Sequence, residues 1–574
     1  MQKCGVGRPW GGSMAPGGWG RRAGGGVLGL PLPDEGLLRA VQLGRLYADS
    51  KEFVDMPLAC TPERASQGYE ECCSSAVGQR PGKQALVRFI AEHFSAAGSD
   101  LERAELEDWR AEPTGFLPGV SDEARDWALA VHALWKELGR RTSPNLATQP
   151  ERHSLLPLPH PTVVPGGRFR ETYYWDSLWI VQGLLVSHMP RTATGIVTNL
   201  VHLLRIHGKV PNGGRTYYLG RSQPPLLSQM LRVLWEASGV EGVRGPRGLV
   251  ECALGPLLEE HRFMTDGNRT VLLQDRTGDR HSLARHFVET KEPRPESFWE
   301  DYELAESLQG QGEKENLFAE LASAAESGWD FSSRWMAGGG ALQNLNVRRV
   351  VPVDLNVFLV QMEENIAFFA DKLNRPEIRA EFLEHARKRR EAVESVLWDP
   401  TQMQWKDFLL ETYTATEESG GVMSGCLSEQ IVASNYIPLW LGMGDAHGSA
   451  IIGSLKASGL VLPGGISTSL VESGQQWDHP NAWPPLQHML IEGVARHDEP
   501  FAKSLAHCWL QSNLKCFKAT GCMQEKYDAR CPGQAGSGGE YTVQAGFGWT
   551  NGVALVLLEK YGFAPASCAS SHRG

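Results

Sequence analysis

From Asp122 onward, apolar positions recur at the spacing of an amphipathic helix rather than a strand. Trp127, Val131, Leu134, Trp135 and Leu138 follow one another at steps of four, three, one and three, which places them on one face at 3.6 residues per turn. Ser121 stands ahead of this run as an N-cap, Asp122 and Glu123 put negative charge into the first turn, and Gly139 supplies the stop. The same spacing runs from Leu355 to Leu373 through Phe358, Leu359, Met362, Ile366 and Phe369, with Asp354 placed to cap it. Comparable faces occupy 179–190, 194–207, 226–236, 376–397, 429–441, 446–458, 485–496, 499–514 and 548–561. Strand-like alternation is scarce, and Gly/Pro-rich loops separate the helices. Many helices of moderate length predict an all-α fold made by helix-on-helix packing. No repeat of fixed period is visible, which favours a closed toroid of helical hairpins, an α/α barrel, over a solenoid. The loops at one end of such a scaffold would then form the pocket.

The pattern also sets the expected boundaries. Residues 1–37 are Gly-rich without periodic apolar positions and read as a disordered leader, so ordered structure is expected from Leu38. Residues 38–562 form the main body, residues 59–84 read as an irregular insertion, and residues 563–574 as a flexible tail.

Composition narrows the functional classes. The chain has 574 residues, 41% hydrophobic and 21% charged, enough for a large core. Its formal net charge of −11 offers no basic field for phosphates, so nucleic acid is not an expected partner. No run of eighteen apolar residues occurs, so no transmembrane segment is expected, and neither end shows a secretory h-region or a lipid-anchor tail. The 11 cysteines include no CxxC pair, and no HExxH, Walker or EF-hand pattern occurs, so neither a metal nor a cofactor is expected. Cysteine pairing and oligomeric state stay open at this level.

Several stretches depart from core composition. They are Pro165–Asp176, Pro211-Asn212, Arg221–Pro225, Arg294–Ser297, Glu326–Trp335, Gln476–Pro485, Glu525–Asp528, and Gly538–Tyr541 followed by Gly546–Asn551, all rich in Gly, Arg, Trp and Asp or Glu. A sugar ring offers hydroxyls to bidentate polar groups and an apolar C–H face to indole and phenol rings, so a glycan pocket accounts for this mixture. Any single Trp-Asp pair is more often core packing; it is the accumulation of such segments that points to a pocket.

The segments Pro165–Trp179 and Gln476–Pro485 closely resemble the two signature patterns of the trehalases, an inverting glycoside hydrolase family. The other stretches resemble further family motifs in the same order, so the resemblance covers about residues 38–562 and looks closest to the animal-type enzymes. It implies an (α/α)6 barrel, hydrolysis of α,α-trehalose to two glucose molecules, and an extracellular or cell-surface location. It also implies roles, Asp330 as general acid and Glu525 as general base activating water. Arg168, Trp175, Asp176, Asn212, Arg221, Ser222, Gln223, Arg294, Pro295, Glu296, Gly328 and Glu540 match positions of substrate contact. Asp330 lies among Gly328, Trp329 and Phe331, an apolar setting that would raise its pKa, while Lys526 beside Glu525 would favour ionisation. Gly533–Glu540, with Gly at 533, 536, 538 and 539, reads as a flexible lid. Two competing readings are a sugar-binding protein of weak activity and another α-glucoside-processing barrel enzyme such as a phosphorylase. Retention of Asp330 and Glu525 weighs against the first, and the lack of an evident anion-binding loop against the second.

Overall fold

A computed structural model describes residues 30–32, 35–74, 81–238, 246–336, 340–414 and 421–563. Six helical elements form a closed inner ring. They are Asp176–Val186, Leu227–Glu236, Val353–Lys372, Ala433–Leu441, Pro484–Ala495 and Gly548–Tyr561, each packed on the next and the last on the first. Alternating with them along the chain are Asp122–Leu138, Pro190–His207, Arg247–Thr265, Pro376–Val396, Gly448–Ala457 and Glu499–Thr520. This second set forms the outer layer, so the architecture is an (α/α)6 barrel. Burial separates the layers. Nearly every residue of Val353–Lys372 is buried, whereas Pro376–Val396 buries only Phe382, Ala386, Ala392, Val393 and Val396.

Local chemistry explains most boundaries. The Ser121 side chain accepts from the Ala124 amide at 3.3 Å and starts its helix as the sequence predicts. Asp354 does not cap its helix. The N-cap is Pro352, and the Asp354 carboxylate instead receives Arg334 at 2.7 and 2.8 Å. The predicted helix 429–441 is a 3-10 helix, Ala433–Leu441, with Pro438 inside it. Proline lacks the amide that an α-helix would need there.

Two long helices of the barrel region escaped the periodic reading, as did the short Phe298–Ala305. Arg247–Thr265 carries Pro256 in its interior. Gln311–Ser327 is buried at every residue from Leu317 to Ser327, but most of these are Ala, Ser or Glu, so no stripe of large apolar side chains marks it. A hairpin, Thr270–Gln274 against Arg280–Ala284, was also unexpected.

The N-terminal region differs most from expectation. Glu35–Leu43, Ser50–Val54, Pro62–Ser74 and Lys83–His93 are helices. They share an apolar cluster that takes in Leu30, Leu32, Leu37, Phe53, Tyr69 and Phe89 and ends on Tyr173, Tyr217, Tyr218 and Phe298 of the barrel. Order therefore reaches ahead of Leu38, and 62–74 of the supposed irregular insertion is a helix that buries Ala65, Gly68 and Tyr69. Its few apolar side chains dock on Phe89 and His93, contacts no single-segment pattern reveals. Residues 1–29 and 75–80 lie outside the described residues. At the other end Phe563 is buried, its carbonyl accepting from Ser121, while 564–574 lie outside. Among the described residues no helix is long and apolar enough to cross a membrane.

Candidate active site

The N-terminal ends of the inner helices converge on a cavity of about 650 Å3, part of it open to solvent. The loop before Asp176–Val186 brings Arg168, Phe169, Tyr173 and Trp175, and the helix itself opens with Asp176. The loop before Leu227–Glu236 adds Asn212, Tyr218, Arg221 and Gln223, and the turn Pro295–Ser297 adds Glu296 and Ser297 behind Arg294. Gly328 and Asp330 follow the buried helix Gln311–Ser327; Trp477 and Trp483 precede Pro484–Ala495. Glu525, Glu540, Tyr541 and Phe547 precede the last inner helix, whose Trp549 completes the wall.

Three arginines are fixed by carboxylates before any ligand arrives. Arg168 makes a bidentate pair with Asp49 at 2.7 and 2.8 Å and lies over the Tyr541 ring, 4.7 Å from its centroid. Arg221 donates to Asn212 at 2.7 Å and to Glu296. Arg294 is held by Asp301 at 2.6 and 3.0 Å and reaches Glu540 at 3.1 Å. Such planar, charge-assisted contacts fix the guanidinium planes and leave their remaining N–H groups to aim at hydroxyls. The indoles are fixed in the same way. Trp477 stacks on Trp483 at 4.0 Å, with Trp175 and Trp549 packed around the pair.

The carboxyls fall into distinct states. Burial pushes Asp330 up to about 7; the charge of Arg294 pulls it down and that of Glu540 pushes it up again. Burial pushes Asp176 up to about 8, and the nearby charges of Glu525 and Asp330 add to that. Glu525 is also raised by burial, which outweighs the opposing charge of Lys526 and the hydrogen bond from Tyr541. The Lys526 effect expected from the sequence is therefore present but does not win. Tyr541 OH donates to Glu525 Oε1 at 2.8 Å, whereas Oε2 is buried without a protein partner. An unsatisfied buried acceptor is costly and marks a place for a bound water or substrate group.

Both candidate catalytic carboxyls and ten of the twelve expected contact residues line this one cavity. Ser222 and Pro295 do not. The Ser222 hydroxyl donates to the Val210 carbonyl at 2.6 Å and its amide to Glu326 at 3.1 Å. Pro295 starts a 3-10 turn and turns its carbonyl to Gln42. Both belong to the turns that present their neighbours. Gly328 lines the cavity for a backbone reason: it ends its helix at φ +78°, and a Cβ there would stand 2.8 Å from the Trp175 ring. The sequence reading missed Phe169, Tyr173, Tyr218, Ser297, Ala325, Trp477, Trp483, Tyr541, Phe547 and Trp549 as lining residues. All of these but Tyr218 and Ala325 sat inside the quoted segments, so an aromatic within an acid-, Arg- and Gly-rich stretch was the available signal. Asp49 carried none. Among the described residues no group of three or more His, Cys, Asp or Glu side chains is arranged to hold a metal ion.

The sequence matches the Trehalase family profile over residues 45–562. A probable trehalase of Oryza sativa subsp. japonica is 43% identical, the alignment covering 94% of this chain and 97% of the rice protein. The trehalase of Homo sapiens is 41% identical, covering 92% of this chain and 88% of the human one. Among solved structures the neutral trehalase of Saccharomyces cerevisiae superposes with a TM-score of 0.55 at 23% identity, over 70% of this chain and 73% of that one, a likeness of fold. Barrel, cavity and sequence agree, and the chain belongs to the trehalase family.

Proposed function

We propose that this protein hydrolyses α,α-trehalose to two molecules of glucose by an inverting acid–base reaction, with Asp330 as the acid and Glu525 as the base. One observation carries the assignment: two buried carboxyls share one cavity and differ in what holds them. Asp330 is raised to about 7 and keeps its proton in mildly acidic solution. Glu525 has one oxygen held by Tyr541 and the other without a protein partner.

Inversion requires a proton for the departing glycosidic oxygen and a water activated on the opposite face of the sugar. The buried Asp330 carboxyl donates that proton to the leaving oxygen. Glu525 Oε2 accepts a proton from the water, which then attacks the anomeric carbon, while the Tyr541 hydroxyl holds the other oxygen and keeps the carboxylate from rotating. Arg168, Arg221 and Arg294 orient sugar hydroxyls, and the indoles of Trp477 and Trp549 offer apolar faces to the rings.

The test is glucose release from α,α-trehalose by the purified protein, with anomers followed by NMR, alongside Asp330→Ala and Glu525→Ala. Equal amounts of α- and β-glucose at early times, lost in both variants, are expected. A folded wild-type protein that binds trehalose without releasing glucose would overturn the proposal.

A further inference from the structure

Gln476 and Lys526 stand behind the cavity wall, and the acid–base scheme uses neither. The Gln476 side-chain amide donates to the backbone carbonyl of Asp330, and its Oε1 accepts from Lys526 Nζ at 2.9 Å. Lys526 Nζ also donates to the carbonyl of Gly538 at 3.3 Å. Three segments thus meet around one ammonium group: the loop that carries Asp330, reached through Gln476, the bend that carries Glu525 and Lys526, and the glycine-rich strap that carries Glu540.

This ammonium is unusual in its surroundings. Lys526 is fully buried, its hydrogen bonds go to neutral acceptors, and it sits 4.9 Å from the Trp483 ring centroid and 5.7 Å from that of Tyr541. Glu525 and Asp330 attract it only through space, and burial still outweighs them, so this cation costs free energy that a Met or Leu would not. The packing of the strap points the same way. A Cβ on Gly536 would stand 2.8 Å from Lys526 Cγ, one on Gly539 would stand 2.9 Å from Gln476 Oε1, and one on Gly538 would collide with the Gly474 carbonyl. The glycines therefore let the strap lie directly on the Gln476 and Lys526 side chains, and Asn481 pins its Ser537 by paired hydrogen bonds of 2.9 and 3.0 Å.

We propose that Lys526 is a positioning residue: through Gln476 and Gly538 it ties the general-acid loop to the strap, so that Asp330 and Glu540 reach their working positions together. The inference rests on the trehalose-hydrolysing reading. Once the strap is down, Glu540 meets Arg294 while Gln476 holds the Asp330 backbone, and one lysine couples closure of the cavity to placement of the acid.

The experiment compares Lys526→Met, Gln476→Met and the double variant with wild type, recording kcat, KM and the pH profile of kcat/KM on trehalose, with thermal unfolding as the control for folding. A misplaced acid lowers kcat by about 10²-fold while KM stays within about threefold. The double variant is no worse than Lys526→Met, because both substitutions cut one link. The pH profile separates linkage from charge. Arg168, Tyr541, Asp176 and Lys526 face Glu525, and of the cations only Lys526 is removed, so its loss moves the acidic limb to higher pH whereas Gln476→Met leaves that limb in place. Wild type without glucose release sinks the functional reading and this inference with it. An active wild type whose Gln476→Met variant keeps kcat within about twofold, or additive losses in the double variant, overturns the inference alone; if Lys526→Met does not fold, Gln476→Met decides it.

Discussion

Glu171 and Asp176 stand five residues apart on one segment, yet they belong to two buried polar regions with opposite designs. Around Glu171, the N-terminal helices and the barrel share a closed ion network. Lys51 donates to Asp55 at 2.6 Å and to Glu171 at 3.0 Å, Arg215 lies 3.0 Å from Asp55, and Tyr217 donates to Asp55 at 2.7 Å. Burial pushes Asp55 upward, but the charges of Arg215 and Lys51 more than cancel it and hold the carboxyl below its ordinary value. Around Asp176, burial acts without a matching cation, and Asp176 and Asp330 rise to about 8 and about 7. Burial alone therefore does not decide the direction for a carboxyl here: the charges of Arg215 and Lys51 together bring Asp55 down, whereas Asp301, with Arg294 against it and Glu540 nearby, still rises to about 6. The first region is built to hold the wall, since Tyr173 donates to Glu171 at 2.6 Å and lines the cavity. The second leaves its carboxyls unpaired so that they can exchange protons with a substrate.

The largest expected effect comes from removing the unpaired groups. Asp330→Asn and Glu525→Gln lower kcat by roughly 10²–10⁴-fold or more, the usual range for loss of a general acid or base. They do so without loss of stability. Because Asp330 is raised, folded protein keeps its proton through the window from about pH 4 to about pH 7, where the unfolded chain has released it. That contribution to stability is complete at low pH and fades as pH rises through the folded value, so Asp330→Asn gains stability relative to wild type at pH 8 and not at pH 4. Thermal unfolding at the two pH values reads this, and a variant less stable than wild type at pH 8 would break the contrast.

The paired region gives the reverse outcome. Lys51→Met leaves Asp55 and Glu171 short of a cation and costs about 3–5 kcal/mol, the range for breaking a buried ion pair. Chemical denaturation measures it. Turnover per folded molecule should fall much less than in Asp330→Asn, which distinguishes a wall from a reactive group.

The pH profile sharpens the contrast further. The acid must be protonated, so kcat/KM falls on the alkaline side with an apparent midpoint near 7, set by Asp330. A midpoint that stays put when Glu540 is changed to Gln is not expected, because Glu540 is among the charges that raise Asp330. The expected shift is downward.

The barrel was legible because most of its outer helices carry one apolar stripe each, as Trp127 to Leu138 does, and Ser121 marks the start; Arg247–Thr265, with Pro256 inside it, is the exception. The helix Gln311–Ser327 was not, because its buried positions are mostly Ala, Ser and Glu and form no stripe of large apolar side chains. In the site, residues within Arg-, Trp- and acid-rich segments could be found, and the cavity gathers most of them. Asp49 could not, because its partner Arg168 lies far along the chain and its own surroundings read as an ordinary helix cap, a role it also fills by accepting from the Lys51 amide. Lys526 was read for its charge on a neighbour in sequence, while its direct contacts are Gln476 and Gly538, visible only once the chain is folded.

Ser222 supplies the smallest and most specific test of where the site ends. Its position between Arg221 and Gln223, both on the cavity wall, makes it look like a substrate contact in sequence. In the fold its hydroxyl points to the Val210 carbonyl and the residue is fully buried. Ser222→Ala removes one neutral hydrogen bond and leaves that carbonyl unpaired, which costs about 1–2 kcal/mol of stability. The backbone amide that donates to Glu326 is retained, so the turn presenting Arg221 and Gln223 keeps its anchor. Both kcat and KM on trehalose are therefore expected to stay within about twofold of wild type while the unfolding midpoint drops. A KM raised tenfold with unchanged stability would place Ser222 among the substrate contacts after all, and would mean that the turn rotates when the sugar binds.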